Sequence, residues 1–135
     1  MNFVVNHLSH ACFTCIDIVA TRRFYEDILG LEVVHEFRND EDELYGIYLS
    51  IGRNTFLEFF KGPVAGECNG LFRHICLSVN NIRWLNVELQ KVGLNAVVQR
   101  GRTDGTLQMW VMDPNGIKIE FHEYDLQSIL SKFQE

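Results

Sequence analysis

The sequence predicts an α+β protein made of two βαβββ halves. The same order of strand and helix patterns occurs twice along the 135 residues, and each occurrence opens with a similar string, "HACFT" from His10 and "HICLS" from His74. Each half also closes with a strand in which a glutamate interrupts apolar residues, "FLEFF" around Glu58 and "KIEFH" around Glu120. Duplication of one supersecondary unit explains these matches together.

The first half, about residues 1–62, opens with a predicted strand over about residues 4–16, where β-branched and aromatic residues recur. A helix is predicted over about residues 18–29, because apolar residues follow one another at intervals of four, and Gly30 is a typical helix stop. The acidic run "DEDE", Asp40–Glu43, is predicted to be a solvated hairpin tip. The other predicted strands of this half are about 31–38, 44–51 and 54–60.

Glycine and proline concentrate in Lys61–Gly70, which predicts a linker before the second half, about residues 70–124. There Asn81 is a plausible cap for a helix that Gly93 ends. The predicted inner face of that helix is Ile82, Leu85, Leu89 and Val92. The predicted strands are "LFRHICLSV" and, approximately, 94–99, 106–112 and 117–122. A short amphipathic helix is predicted over about residues 125–133, and the whole of residues 1–135 is interpreted as a single domain.

Composition limits the classes of partner. Apolar residues make up 47% of the chain and charged residues 22%, and the net charge is −6. This acidic balance argues against binding to nucleic acid or to an anionic membrane surface, and it leaves a small-molecule substrate as the expected partner. No apolar run approaches the roughly 20 residues that a membrane-spanning helix needs.

The cysteines and the first residues indicate the cytoplasm. Four cysteines in a chain of this length are not a disulfide framework, so we expect them to be reduced. Cys12 and Cys15 have the Cys-x-x-Cys spacing, but they point to opposite faces of a predicted strand, which disfavours a redox pair. The start of the sequence lacks a basic segment followed by an apolar signal core.

Two histidines near the start compete for a functional role. His7 and His10 are three residues apart, so they point to opposite faces of the predicted strand. Only His10 has a counterpart in the second half, His74, and we therefore take His10 as the candidate. His7 and His35 are interpreted as surface or packed histidines.

Two histidines and two glutamates occupy equivalent places in the two halves. A carboxylate in the middle of an apolar strand is costly to bury unless it is paired or bound to a cation, although a solvated outer face is the simpler explanation for one such glutamate. Two imidazoles and two carboxylates form a donor set suited to Zn²⁺, Ni²⁺, Co²⁺, Mn²⁺ or Fe²⁺. The pattern predicts one divalent metal ion per site, with ligands His10, Glu58, His74 and Glu120.

Three further residues share the predicted ligand faces. His122 lies two residues after Glu120, so it could line the cavity, although a position at the rim is expected for it. Cys12 and Cys76 are interpreted as small apolar fillers.

The strings "FYEDILGL" and "DPNGIKIE", with the two His-x-Cys strings, resemble the vicinal oxygen chelate superfamily over nearly the whole chain. That superfamily includes glyoxalase I, methylmalonyl-CoA epimerase, extradiol dioxygenases and the fosfomycin and bleomycin resistance proteins. The resemblance implies paired βαβββ modules that form a half-open barrel around a metal, and it implies a homodimer.

Within that superfamily the order His10, Glu58, His74, Glu120 is similar to the metal ligands of glyoxalase I. The resemblance implies a metal-dependent lyase or isomerase that chelates vicinal substrate oxygens, with Glu120 as the first candidate for the base and Glu58 as the second. An Fe²⁺-dependent ring-cleaving dioxygenase and a non-catalytic small-molecule binding or resistance protein are the alternatives. Thr14 and Gly62 replace an arginine and an asparagine of bacterial glyoxalase I, which argues against a glutathione adduct.

Candidates for substrate binding come from the second half. Arg73, Arg100 and Arg102 are candidates to hold an anionic substrate tail, with solvated loop charge as the alternative. The string "RGRTDG", Arg100–Gly105, is a candidate lid. Trp110 could stack on a substrate or pack in the wall of the site.

Overall fold

The computed structural model describes residues 7–63 and 72–134. The chain divides into two compact units, Met1–Cys68 and Asn69–Glu135. Each unit contains a βαβββ succession of elements and one four-stranded mixed sheet. The predicted fold class of paired βαβββ modules is therefore confirmed, whereas the half-open barrel and the single domain stay predictions about the relation between the units.

In the amino-terminal unit, strand β1 pairs in parallel with β4, and the other neighbours in the order β1-β4-β3-β2 are antiparallel. The hairpin tip at Asp40–Glu43 is confirmed, because the Asn39 amide donates to the Glu43 carbonyl across an exposed turn. The elements are β1 (His10–Cys15), α1 (Ile18–Arg22), a π-helical segment (Arg23–Ile28), β2 (Glu32–Arg38), β3 (Leu44–Ser50) and β4 (Phe56–Lys61).

The helix of this unit begins at Ile18, after Asp17. The Asp17 carboxylate accepts hydrogen bonds from the amides of Val19 and Ala20 at 2.9 and 3.1 Å and so satisfies two N–H groups of the first turn. The predicted span is confirmed, but its second part is π-helical, since the Leu29 amide bonds the carbonyl five residues earlier. Gly30 ends the helix with a φ of +75°.

The carboxy-terminal unit repeats this arrangement with the strand order β5-β8-β7-β6, and β5 pairs in parallel with β8. The Asn81 side chain caps the helix by accepting from the Trp84 amide at 2.9 Å, and Gly93 follows the helix with a φ of +85°. Both predictions are confirmed. The elements are β5 (Ile75–Ser78), α2 (Ile82–Lys91), β6 (Gln99–Arg100), β7 (Leu107–Met112) and β8 (Lys118–Glu123).

Two predicted elements of the second half are wrong in extent. The strand predicted over about residues 94–99 is reduced to Gln99 and Arg100, which pair with β7, although residues 94–98 alternate in burial. The helix predicted over 125–133 is replaced by turns and one 3₁₀ turn, Ser131–Phe133. The Asp125 carboxylate accepts from the Gln127 amide and from the Ser128 hydroxyl, a local arrangement that competes with a helix. Most of the predicted linker, and the predicted start of the first strand, lie outside the described residues.

Each sheet has one core face and one more exposed face. In β1 the burial alternates as predicted, with Ala11, Phe13 and Cys15 turned inward and His10, Cys12 and Thr14 exposed, and β5 alternates in the same way. The predicted inner residues of α2 are buried, except Val92, which is exposed. The core contains Ile47, Leu49, Leu57 and Phe59 in the first unit and Met109, Val111, Ile119 and Phe121 in the second. Among the described residues, no helix is long and apolar enough to cross a bilayer.

Gly46 on β3 should be intolerant of a side chain. A Cβ there would lie 2.6 and 2.8 Å from two ring carbons of Phe60 and 3.0 Å from the Phe59 carbonyl oxygen. The Phe60 ring cannot withdraw freely, because its centroid lies 4.9 Å from that of Phe37. We expect Gly46→Ala to lower the free energy of unfolding by about 1–3 kcal/mol in urea denaturation. Gly62→Ala is the control, since a Cβ at that position meets nothing within 4 Å; equal stability of the two variants would contradict this packing.

Candidate metal centre

The amino-terminal unit brings His10 and Glu58 together. His10 begins β1 and Glu58 lies in the middle of β4, and the Nε2 atom of His10 is 3.9 Å from Oε1 of Glu58. The imidazole packs with its edge towards the Tyr48 ring at a centroid distance of 5.6 Å. The His10 side chain is 40% exposed and that of Glu58 is 11% exposed, so the carboxylate is enclosed while the imidazole is accessible.

Glu58 is a buried acid among apolar neighbours. Leu57 and Phe59 point to the core, and strand alternation turns Glu58 to the opposite face, where Cys12 and Tyr48 are its partners in the sheet register. Desolvation of the sulfur and the hydrogen bond to the Glu58 carboxylate raise the pKa of the Cys12 thiol to about 11. A hydrogen bond to the same carboxylate is the main cause of a raised pKa at Tyr48. Both groups are therefore held in the protonated form more firmly than an ordinary thiol or phenol.

The carboxy-terminal unit brings His74 and Glu120 together in the same way. Nε2 of His74 is 3.7 Å from Oε2 of Glu120, and the Glu120 side chain is 9% exposed. Trp110 is opposite Glu120 in the sheet and packs with its ring across the His74 ring at a centroid distance of 4.7 Å. This contact supports the interpretation that Trp110 packs in the wall of the site.

His122 distinguishes the second unit from the first. It is 8% exposed, so the predicted rim position is wrong. Its Nε2 atom contacts Oε1 of Glu120, and its Nδ1 atom lies 3.3 Å from the Tyr124 hydroxyl. The equivalent position in the first unit is Phe60, which also follows a central glutamate by two residues. Strand alternation placed His122 on the ligand face, but its burial depends on the packing around Glu120 and Tyr124.

Cys76 completes a group of possible metal donors with Glu120 and His122. One donor atom from each of these three side chains lies within 4.8 Å of the other two. Desolvation of the sulfur and the charge of Glu120 raise the pKa of the Cys76 thiol to about 12. Cys12 and Cys76 are both exposed and lie beside glutamates, so their interpretation as apolar fillers is wrong. Their positions on the ligand faces, two residues after His10 and His74, were the signal in the sequence.

The Arg100 side chain is hydrogen-bonded to other residues of the protein. Its guanidinium donates to both carboxylate oxygens of Asp125 at 3.0 and 2.9 Å and to the Gly105 carbonyl at 2.6 Å. The guanidinium lowers the pKa of Asp125. The Ile129 amide also donates to the Asp104 carbonyl, which ties the loop Arg100–Gly105 to the following segment. Arg100 is thus paired with Asp125, and both the contact of Arg100 with a substrate anion and the mobility of the loop Arg100–Gly105 stay predictions.

Arg73, Arg102 and Trp110 are the remaining candidates for substrate binding. Arg73 and Arg102 are exposed, and their contact with a substrate stays a prediction. Trp110 also lies beside an open pocket of about 310 Å³, with Lys118 Nζ 4.5 Å from the centroid of its ring. The other residues that line this pocket are Leu94, Asn95, Val111 and Met112.

The donors in both units fit a divalent metal ion. Each unit holds an accessible imidazole within 4 Å of a nearly buried carboxylate, and each carboxylate lies between two apolar residues of its strand. A buried carboxylate needs a compensating cation or hydrogen-bond donors, and a divalent ion supplies that charge. Nitrogen and oxygen donors suit Zn²⁺, Ni²⁺, Co²⁺, Mn²⁺ and Fe²⁺.

Comparisons with known proteins indicate the family to which this fold belongs. Lactoylglutathione lyase from Salmonella typhimurium (strain LT2) is 26% identical over 123 residues, which cover 86% of this chain and 91% of that protein. The structure of a glyoxalase family protein from Enterococcus faecalis has a TM-score of 0.72 at 24% identity, with 90% of this chain and 100% of that chain covered. TnmS3, an antibiotic binding protein from Streptomyces sp. CB03234, has a TM-score of 0.70 at 16% identity, with 92% and 100% covered.

The two structural likenesses show the fold alone, and they match it over nearly the full length of the chain. The family model described as Glyoxalase/Bleomycin resistance protein/Dioxygenase superfamily matches residues 7–121. That range contains both repeats and both His–Glu pairs, and it confirms the resemblance found in the sequence. The chain therefore belongs to the glyoxalase/bleomycin resistance protein/dioxygenase superfamily.

Proposed function

We propose that this protein is a divalent-metal-dependent lyase or isomerase of the glyoxalase I type. The observation that carries the proposal is the His–Glu pair that occurs at equivalent places in both units, at 3.9 and 3.7 Å. The 26% identity to a lactoylglutathione lyase agrees with it. The proposed metal ligands are His10, Glu58, His74 and Glu120.

The roles of the chain's own residues follow from their exposure and contacts. A bound divalent ion would act as a Lewis acid towards two neighbouring oxygens of the substrate. Glu120 is proposed as the base that takes a proton from one substrate carbon and returns it to the adjacent carbon, and Glu58 is the second candidate. Trp110, against His74, would limit the access of water on that side of Glu120. In its own unit, the exposed His10 imidazole would be accessible to an ion or a substrate beside Glu58.

The proposed substrates are small molecules with two adjacent oxygens, such as thiol adducts of 2-oxoaldehydes or hydroxy-ketones. Thr14, which is exposed on β1, stands where bacterial glyoxalase I has an arginine for glutathione, so thiols other than glutathione deserve equal weight in a screen. Arg73 and Arg102 are proposed contacts for an anionic tail. A homodimer is proposed on the family resemblance, and the cytoplasm is proposed on the expectation that the cysteines are reduced.

Removing one member of either His–Glu pair should remove the metal. We expect wild-type protein purified without chelator to carry about one divalent ion per chain by elemental analysis, and His10→Ala and Glu120→Ala to lose it, because each change removes a ligand. His35→Ala is the matched control, since His35 is an exposed histidine on β2. Wild-type protein that takes up no ion after incubation with Ni²⁺, Zn²⁺, Co²⁺, Mn²⁺ and Fe²⁺ would contradict the proposal.

The neutral isostere of Glu120 should separate catalysis from binding. We expect Glu120→Gln to keep much of the bound metal and to lower kcat about 10²–10⁴-fold with an active thiol adduct, because an amide cannot accept the proton. Glu88→Gln serves as the control, since Glu88 pairs with Lys91 on the surface of α2. Full activity of Glu120→Gln would rule out its role as the base.

Two other outcomes would replace the proposal with the alternatives from the sequence. Oxygen consumption with catechols in the Fe²⁺-loaded protein would identify a dioxygenase. Tight binding of a small molecule, with no turnover and no requirement for metal, would identify a binding protein.

A further inference from the structure

We propose that Cys76 and His122 are ligands of the same divalent ion as Glu120, so that the carboxy-terminal unit supplies a sulfur, a nitrogen and an oxygen donor by itself. The inference rests on the proposed function in one respect, namely that a divalent ion is bound at Glu120. It adds Cys76 and His122 to the proposed ligands, and their sulfur and nitrogen donors imply a preference among divalent metal ions.

The first support is the position of the three donors on rigid, paired strands. Cys76 lies on β5 directly opposite Glu120 on β8, and His122 lies two residues further along β8, opposite Ser78. Strand alternation therefore places all three side chains on one face of the sheet. Their donor atoms lie within 4.8 Å of one another, a separation that one ion can bridge.

The second support is the state of the His122 imidazole. His122 is more than nine-tenths buried, and its Nε2 atom is buried without a hydrogen-bond partner, although it contacts Oε1 of Glu120. A buried ring nitrogen without a hydrogen bond is unfavourable, and coordination of an ion would satisfy it. On the other side of the ring, the Tyr124 hydroxyl near Nδ1 can fix the orientation of the imidazole, as partners of metal-bound histidines commonly do.

The third support is the comparison between the two units. Cys12 faces Glu58 in the same register as Cys76 faces Glu120, but the residue opposite Thr14 is Phe60. The amino-terminal unit thus has the thiol and the carboxylate without the second imidazole. The full set of three donors is confined, among the described residues, to the carboxy-terminal unit, and Cys12 is a natural control for Cys76.

The donor types select the metal. Thiolate and imidazole ligands suit Zn²⁺ and Co²⁺, whereas Mg²⁺ and Mn²⁺ prefer sites made of oxygen donors. Cys76 and His122 bring the proposed protein donors to six, so two of them would have to give way to the oxygens of a bound substrate. We therefore expect the wild-type protein to bind Zn²⁺ more tightly than Mn²⁺, and Cys76→Ser to reduce that preference by roughly tenfold or more.

The test is a titration of the full-length protein with Co²⁺ alone, followed by absorption spectroscopy, because a thiolate bound to Co²⁺ gives an intense charge-transfer band in the near ultraviolet. We expect the band in wild-type protein at one equivalent, its loss in Cys76→Ser and its retention in Cys12→Ser. His122→Phe, which introduces the residue found in the first unit, should weaken Co²⁺ binding roughly tenfold or more.

The possible failures separate the two proposals. Co²⁺ bound to wild-type protein without the sulfur band, or a band that persists in Cys76→Ser, would overturn the role of Cys76 and leave the proposed function in place. Unchanged Co²⁺ affinity in His122→Phe would overturn the role of His122. A wild-type protein that binds no Co²⁺ at all would contradict both this inference and the proposed function.

Discussion

The parallel pairing of the first and last strands in each unit is the constraint on which the candidate site depends. This pairing sets Cys12 beside Glu58 and Cys76 beside Glu120, and it brings each glutamate within 4 Å of the histidine that precedes the first strand or begins it. Residues nearly 50 positions apart in the sequence become neighbours in this way. A shift of the register by one residue would turn the glutamates towards the core and the apolar residues outward, so the packing of the core also fixes the site.

Both glutamates lie where an ionised carboxylate needs a compensating partner. Each lies among large apolar residues and is less than a tenth exposed, and an ionised carboxylate in such surroundings is unfavourable without compensation. In both units an imidazole supplies a partner, and in the second unit a second imidazole contacts the other carboxylate oxygen. A divalent ion would compensate the charge more fully, which is the physical reason for regarding these acids as ligands.

Local features of the sequence predicted the order of the elements and the faces of their strands. The cap at Asn81, the glycines after both helices and the alternation around His10 depend on neighbours in the chain, so a single sequence reveals them. The pairing of Arg100 with Asp125 joins residues 25 positions apart, which no local pattern indicates. No local pattern in the sequence indicates the π-helical segment that follows α1.

The two units also show that a repeat in sequence need not be a repeat in chemistry. The replacement of Phe60 by His122 at equivalent positions gives the two glutamates different surroundings, one with an aromatic ring and one with an imidazole. If a divalent ion binds, this difference would hold it more firmly in the second unit, and it gives a physical reason to distinguish Glu120 from Glu58.

The most direct measurement of the central claim is a crystal structure of the Zn²⁺-loaded protein with an anomalous difference map at the zinc edge. The account predicts a peak at the Glu120 carboxylate, at about 2.0–2.2 Å from a carboxylate oxygen and 2.0–2.1 Å from an imidazole nitrogen. A peak remote from both His–Glu pairs, or no peak in crystals that contain zinc in solution, would contradict it.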